Sequence, residues 1–202
     1  MSLNILNHQH HRPLSVGFYE RDPDKVAIDL IGRIVVRRAS GAIMAGRIVE
    51  VEAYFGEGDP ASHACRGMTP RNAIMFGRAG MAYVYLNYGV HCLLNVVTGL
   101  EGRAGAVLIR ALEPVSGIEA MMKNRPVKRA VDLTSGPGKL TKALGVDLAD
   151  NGVDMTARGS LLYVANGAQE TRSIILSPRI GISKGEEMLM RFCAEGSRFV
   201  SK

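Results

Sequence analysis

Residues 47–54 read RIVEVEAY, and the way this run folds decides the architecture. Apolar residues alternate with charged or aromatic ones, which is the period of a β-strand. In a regular strand Glu50, Glu52 and Tyr54 share a face with Ile48, while Val49, Val51 and Ala53 point the other way. Taken alone, the pattern fits an antiparallel strand with a wet acidic face. It also fits a buried pair of carboxylates, which would need a compensating cation.

The neighbouring sequence extends the strand into a sheet. Ser40-Gly41 is a turn between two strands at 34–38 and 42–54. Upstream, 18–34 has a helical pattern, with Asp22 or Asp24 as cap and Pro23 in the first turn. Downstream, FGEGDPASHACRGMTPRN (55–72) is a punctuated loop. Thr69-Pro70 offers an N-cap and a first helical residue. In MAYVYLNYGVHCLLNVVTG (81–99) two apolar runs flank Asn87-Tyr88-Gly89, the mark of a β-hairpin in which Asn87 tolerates a left-handed turn. Further strands are expected at 104–112, 161–164, 173–176 and 199–200, and helices at 115–123 and 135–144. Strands outnumber helices and connections are short. The expected fold class is α+β: one domain over 15–202 around a curved antiparallel sheet with peripheral helices. Residues 1–14 read as a flexible N-terminal arm, in which His8, His10 and His11 belong to a polar tail.

Composition narrows the partners. The 202 residues are 47% hydrophobic and 22% charged, enough for a sizeable core and too balanced for disorder. A net charge of +6 suits a polyanion without proving one. The three cysteines, Cys65, Cys92 and Cys193, show no paired spacing and read as reduced thiols in a cytoplasmic setting. No transmembrane or signal segment stands out.

Several catalytic signatures do not occur. With SGPGKLTKAL (135–144) aligned on a nucleotide phosphate loop, Leu133 ahead of it and Leu140 within it stand where Gly and Ser or Thr are needed. Its glycines ahead of a helix still suit an anion, with Lys139 adding charge, although a plain helix start fits as well. His63 and Cys65 alone do not make a zinc site. More telling is the crowding of Tyr83, Tyr85 and Tyr88 in one hairpin of a chain with 5% aromatics. Tyr83 and Tyr85 share a face and suit a core. Tyr88 falls at the turn, where a large ring buries little and could wedge between stacked bases. Arg110, inside AVLIRAL, must find water or a carboxylate.

RIVEVEAYFGEGDPASHA, TPRNAIMF, AYVYLNYGVHCLLNV, AVLIRALEP, SGPGKL and SPRIGI follow one another in this order. From Phe18 onward the chain resembles the alkyladenine DNA glycosylases, also called 3-methyladenine DNA glycosylases of the mammalian type. It departs from mammalian members in a shorter loop from His63 to Thr69, and in His91 where they carry tyrosine. The resemblance implies a monomeric DNA-repair enzyme with a DNA-inserting hairpin. Such an enzyme flips a damaged purine from duplex DNA and hydrolyses its N-glycosidic bond, without metal or cofactor. It would work in the cytoplasm at the nucleoid, or in a nucleus. It implies roles for residues: Glu52 as general base, Arg110 and a backbone carbonyl near Ile180 holding the water, and Tyr54, His63 and Tyr85 as walls of the base pocket. Asn95 would exclude guanine, and Tyr88 would fill the vacated gap. Thr69, Arg71, Val90, His91 and Lys139 would contact DNA, and Glu50 would be structural. Two other classes compete: a binding module that has lost hydrolysis, against which Glu52 and Arg110 speak, and an enzyme of RNA or free nucleosides, against which Tyr88 speaks.

Overall fold

The run around Glu50 and Glu52 is the middle of a 14-residue strand, Ala42–Phe55. The computed structural model describes residues 12–167 and 173–201, so His8, His10, His11 and most of the expected arm lie outside the described residues. The chain is already docked at Pro13, which bridges Ala165, and at Leu14, whose N–H donates to Val164 O at 2.8 Å. Along the chain come α1 (Val16–Tyr19), α2 (Pro23–Leu30), β1 (Ile34–Ala39) and β2 (Ala42–Phe55). β3 (Ala82–Asn87), β4 (His91–Val97) and β5 (Gly105–Ser116) follow, then α3 (Ile118–Asn124) and α4 (Pro137–Leu144). β6 (Leu162–Ala165), β7 (Ile174–Ser177) and β8 (Arg191–Ala194) complete the order. The described strands form one antiparallel sheet in the order β3-β4-β5-β2-β1-β6, with β8 joining β2 to β7. The sheet curls into a half-barrel with few helices, a single α+β domain. Among the described residues no helix is long and apolar enough to cross a membrane.

β2 is central because its edges carry different neighbours along its length. One edge pairs with β5 from Ala45 to Phe55; the other pairs with β1 near its start and with β8 at Glu50–Glu52. Its pairing with β5 is irregular. Ile48 faces Leu112, Glu50 faces Ala111 and Val51 faces Ile109, so Val49 and Arg110 are each an extra residue. Such bulges re-aim side chains and are common beside active sites. Here they break the regular alternation expected of 47–54. Ile48 joins Val51 and Ala53 in the main core instead of leaning with the glutamates, and Val49 packs with Ala111, Ala194 and Phe199. The acidic face is not wet: Glu50 and Glu52 are both 0% exposed.

Other differences have local causes. The expected helix over 18–34 is split, because Pro23 lacks an N–H and disfavours helical backbone at Asp22. Asp22 occupies the N-cap position without a side-chain bond. The helix expected from 115 starts at Ile118, since β5 runs on to Ser116 and Gly117 turns at φ 69°. A Cβ on Gly117 would meet the Ile43 carbonyl, so glycine is required there. Thr69 does not cap a helix. Its N–H donates to Asn72 Oδ1 at 2.6 Å, and a 3-10 turn starts after Asn72, at Ala73–Phe76. Residues 199–200 are not a strand, because Ser201 N–H is taken by the Glu50 side chain at 2.6 Å. The last strand is β8.

Candidate active site

The bulged Arg110 reaches both glutamates of β2. Its Nε donates to Glu50 Oε1 at 3.0 Å and one terminal nitrogen to Glu52 Oε2 at 3.0 Å. Burial works against its charge, but Glu52 and Glu50 outweigh that and hold its pKa above the ordinary arginine value. Glu50 is enclosed: it also accepts from Arg191 Nε at 2.7 Å, Ser201 N–H at 2.6 Å and Ser201 Oγ at 2.7 Å. Glu52 accepts from three donors, Arg110, Tyr54 OH at 2.8 Å and the Ile180 N–H at 2.7 Å. A carboxylate has about four acceptor positions, so one stays open. The Ile180 backbone thus reaches the site through its N–H, which donates to Glu52 Oε1.

Tyr54, Arg110 and Ile180 line a cavity of about 310 Å³, with Glu52 directly behind them. Its walls are aromatic: His63 and Tyr85 lie edge to face with centroids 4.7 Å apart, and Tyr83 is 5.1 Å from Tyr85. Burial, then Glu52, pushes the Tyr54 phenol far above its ordinary pKa, so it remains a hydrogen-bond donor. Burial, then Tyr83 and Glu52, pushes Tyr85 up to about 12. His63 is held below the ordinary histidine value by burial and then by Arg71, and its Nδ1 sits 2.9 Å from Tyr83 OH. Asn95 lies 3% exposed in the lining and donates to Tyr83 O at 3.0 Å.

The sequence that builds this carboxylate and aromatic slot is similar to known proteins. A family model described as Methylpurine-DNA glycosylase (MPG) matches residues 17–198. The chain belongs to the methylpurine-DNA glycosylase family. It is 48% identical over 193 residues to a provisionally named 3-methyladenine DNA glycosylase of Methanoculleus marisnigri, covering 94% of this chain and 98% of that one. A relative of the same name from Carboxydothermus hydrogenoformans is 48% identical over 186 residues, 92% of this chain and 96% of its own. One from Prosthecochloris aestuarii is 47% identical over 187 residues, with 92% and 89% covered. As a member of the family the chain is an enzyme, a DNA glycosylase that hydrolyses N-glycosyl bonds.

Around the cavity the sequence-derived residues take distinct places. Tyr54, His63, Tyr85, Tyr88, Asn95, Arg110 and Ile180 come together in its lining. Tyr88 also forms the tip between β3 and β4, 88% exposed and at φ 49°, with Gly89 at φ 70° and Val90 N–H closing onto Asn87 O. The left-handed residues are thus Tyr88 and Gly89, not Asn87. A tyrosine in that conformation is strained, which is usual at functional sites. Val90 and His91 are exposed beside it. His91 lies so close to the start of α4 that a Cβ on Gly138 would strike its ring, which brings exposed Lys139 to the same rim. Arg71 lies over the Tyr85 ring, its guanidinium carbon 5.8 Å from the centroid; Thr69 is exposed on the same loop. Among the described residues no three His, Cys, Asp or Glu side chains gather as a metal cluster.

Sequence reasoning missed the parts that hold the site. Asp59 and Arg179 form a bidentate ion pair at 2.6 and 2.8 Å with both side chains 0% exposed. Arg179 also donates to Ala53 O at 3.0 Å and lies over the Tyr54 ring at 4.7 Å. Since Ile180 follows directly, the pair sets its N–H on Glu52. Buried Asn72 ties the loop below His63, donating to His63 O at 2.8 Å and Gly67 O at 3.0 Å. Ser201 and Arg191 complete the cage around Glu50. The only sequence hint for Asp59 and Arg179 is that each sits beside proline in a motif that also carries a site residue.

Proposed function

We propose that the chain is a monofunctional DNA glycosylase that flips alkylated or deaminated purines out of duplex DNA and hydrolyses the glycosidic bond with water activated by Glu52. The first cut of base excision repair follows from this. The supporting observation is the Glu52 carboxylate, oriented by Arg110, Tyr54 and Ile180 behind an aromatic cavity of about 310 Å³. A flat aromatic slot suits a purine ring. The exposed hairpin, with Tyr88 at its tip, inserts from the minor groove and stacks in the gap, offsetting part of the few kcal/mol that extrusion costs. The base stacks against Tyr54, His63 and Tyr85, and Asn95 crowds the edge where an undamaged guanine carries its amino group.

Bond breaking leaves positive charge on the sugar ring, and the base departs with the bonding electron pair. The nearby carboxylate stabilises that charge, and the open acceptor position of Glu52 takes a proton from the attacking water. Arg110 keeps Glu52 in place and holds the water. A base alkylated on a ring nitrogen leaves as a neutral molecule and needs no acid; a neutral lesion needs a proton or hydrogen bond at the departing ring. Among the described residues no lysine lines the cavity, and an imine intermediate with strand cutting is not part of the scheme. Thr69, Arg71, Val90, His91 and Lys139 contact the backbone around the extruded nucleotide. The test is to incubate duplexes that each carry one lesion, then treat them with hot alkali. Breaks at the lesion only after alkali are expected. Intact duplexes alongside hydrolysis of RNA or free nucleosides would overturn the proposal, and breaks without alkali would remove the monofunctional assignment.

A further inference from the structure

We infer that Asp59 sets the preference of the cavity for cationic over neutral bases by neutralising the Arg179 guanidinium behind Tyr54. The inference rests on the reading of Tyr54 as the wall on which the extruded base stacks. The guanidinium carbon lies 4.7 Å from the Tyr54 ring centroid. Tyr54 lines the cavity, whereas Arg179 does not and its side chain is 0% exposed. The ring therefore has a guanidinium on its protein side and the base on its cavity side.

An aromatic face attracts a cation through its quadrupole. A ring already polarised by one full cation offers less to a second, and two cations across a ring repel, here with the Arg179 side chain itself shielded from solvent. A purine methylated on a ring nitrogen is cationic; hypoxanthine is neutral. A bare Arg179 would thus select against the charged lesion while leaving the neutral one nearly untouched. Asp59 prevents this. Its two oxygens hold the guanidinium in a fork at 2.6 and 2.8 Å, so the buried pair carries no net charge. The carboxylate is itself fixed by the Phe55 N–H at 2.9 Å and the Ala61 N–H at 3.1 Å.

The pair also staples the loop that sets Ile180 on Glu52, and a staple alone predicts something different. Loosening a staple slows every substrate alike, because all of them use Glu52. Exposing a charge behind Tyr54 changes the ratio between charged and neutral substrates. Comparing that ratio between variant and wild type cancels the faster intrinsic departure of a cationic base.

The experiment measures single-turnover excision, with saturating enzyme, from two duplexes of one sequence, one carrying 7-methylguanine and one hypoxanthine. In Asp59→Asn the charged-to-neutral ratio should fall by about fivefold relative to wild type, the size of one cation–π contact at a site open to solvent. In the double variant Asp59→Asn with Arg179→Met the ratio should return to within about twofold of wild type, since no charge of either sign then stands behind Tyr54. Should Asp59→Asn fail to fold in a thermal melt, Arg179→Met alone reads the same effect with opposite sign. Asp59 keeps its Phe55 and Ala61 bonds there, and the anion behind Tyr54 raises the ratio. An unchanged ratio in the folded variant overturns the inference, however far the absolute rates drop. Release of neither base by wild type would instead overturn the glycosylase reading of the cavity, and this inference with it.

Discussion

Replacing Glu50 and Glu52 by glutamine, one at a time, separates holding the site from running the reaction. Glu50 accepts four hydrogen bonds: from Arg110, Arg191 and twice from Ser201. An amide at 50 keeps one acceptor oxygen and turns an NH2 toward a donor, and it strips the counter-charge from Arg191 and one of two from Arg110. Breaking a buried pair in this way costs about 3–5 kcal/mol. Glu52 accepts three bonds, and one donor, the Tyr54 hydroxyl, can rotate to accept from the new amide. The cost there is about 1.5–3 kcal/mol, that of a hydrogen bond to a charged group. The rates should order the other way. Glu52→Gln removes the proton acceptor and should slow excision by about a hundredfold or more. Glu50→Gln loosens Arg110 and should slow it on the order of tenfold. Urea unfolding gives the stabilities, and single-turnover excision, run where both variants are folded, gives the rates. A folded Glu50→Gln that loses more activity than Glu52→Gln would refute the assignment of the base.

Three further outcomes are expected. Tyr88→Ser should keep the fold, because the ring is 88% exposed, and should slow excision most for stably paired lesions and least in mismatches or single strands; equal slowing in both would count against insertion. Asn95→Ala should allow slow guanine release from lesion-free duplex, and background release equal to wild type would remove the steric filter. His63, held low by burial and then by Arg71, should titrate below the ordinary histidine value of ~6.5 in an NMR experiment. The sign follows: its neutral form adds stability above that value, which is lost as pH falls through the depressed folded pKa. Urea midpoints of wild type and His63→Gln should therefore converge on acidification, and a His63 midpoint at or above ~6.5 would refute this.

The strands and turns were legible in the sequence because they rest on local rules. Residues 47–54 alternate as a strand must, Ser40-Gly41 and Tyr88-Gly89 mark the turns, and Arg110 in an apolar run had to find a carboxylate. The chemical groups of the site were legible too, as motif and as unmet electrostatic need. What the alternation could not show is the pair of bulges at Val49 and Arg110, which depends on how two strands far apart in the chain pair with each other. Those bulges send Ile48 to the core and let Arg110 reach both glutamates. Residues 199–200 misled for a related reason. An apolar segment followed by Ser201 looks like a strand until Glu50, 151 residues away, claims the serine N–H. Asp59 and Arg179, 120 residues apart, leave no periodic trace, because a single ion pair between two loops has no period. Local backbone preference and side-chain alternation thus determined the elements and the chemical groups. The distances that make Glu52, Tyr54 and Ile180 one site were decided only in the folded chain, where burial leaves each charge no partner but another from a distant segment.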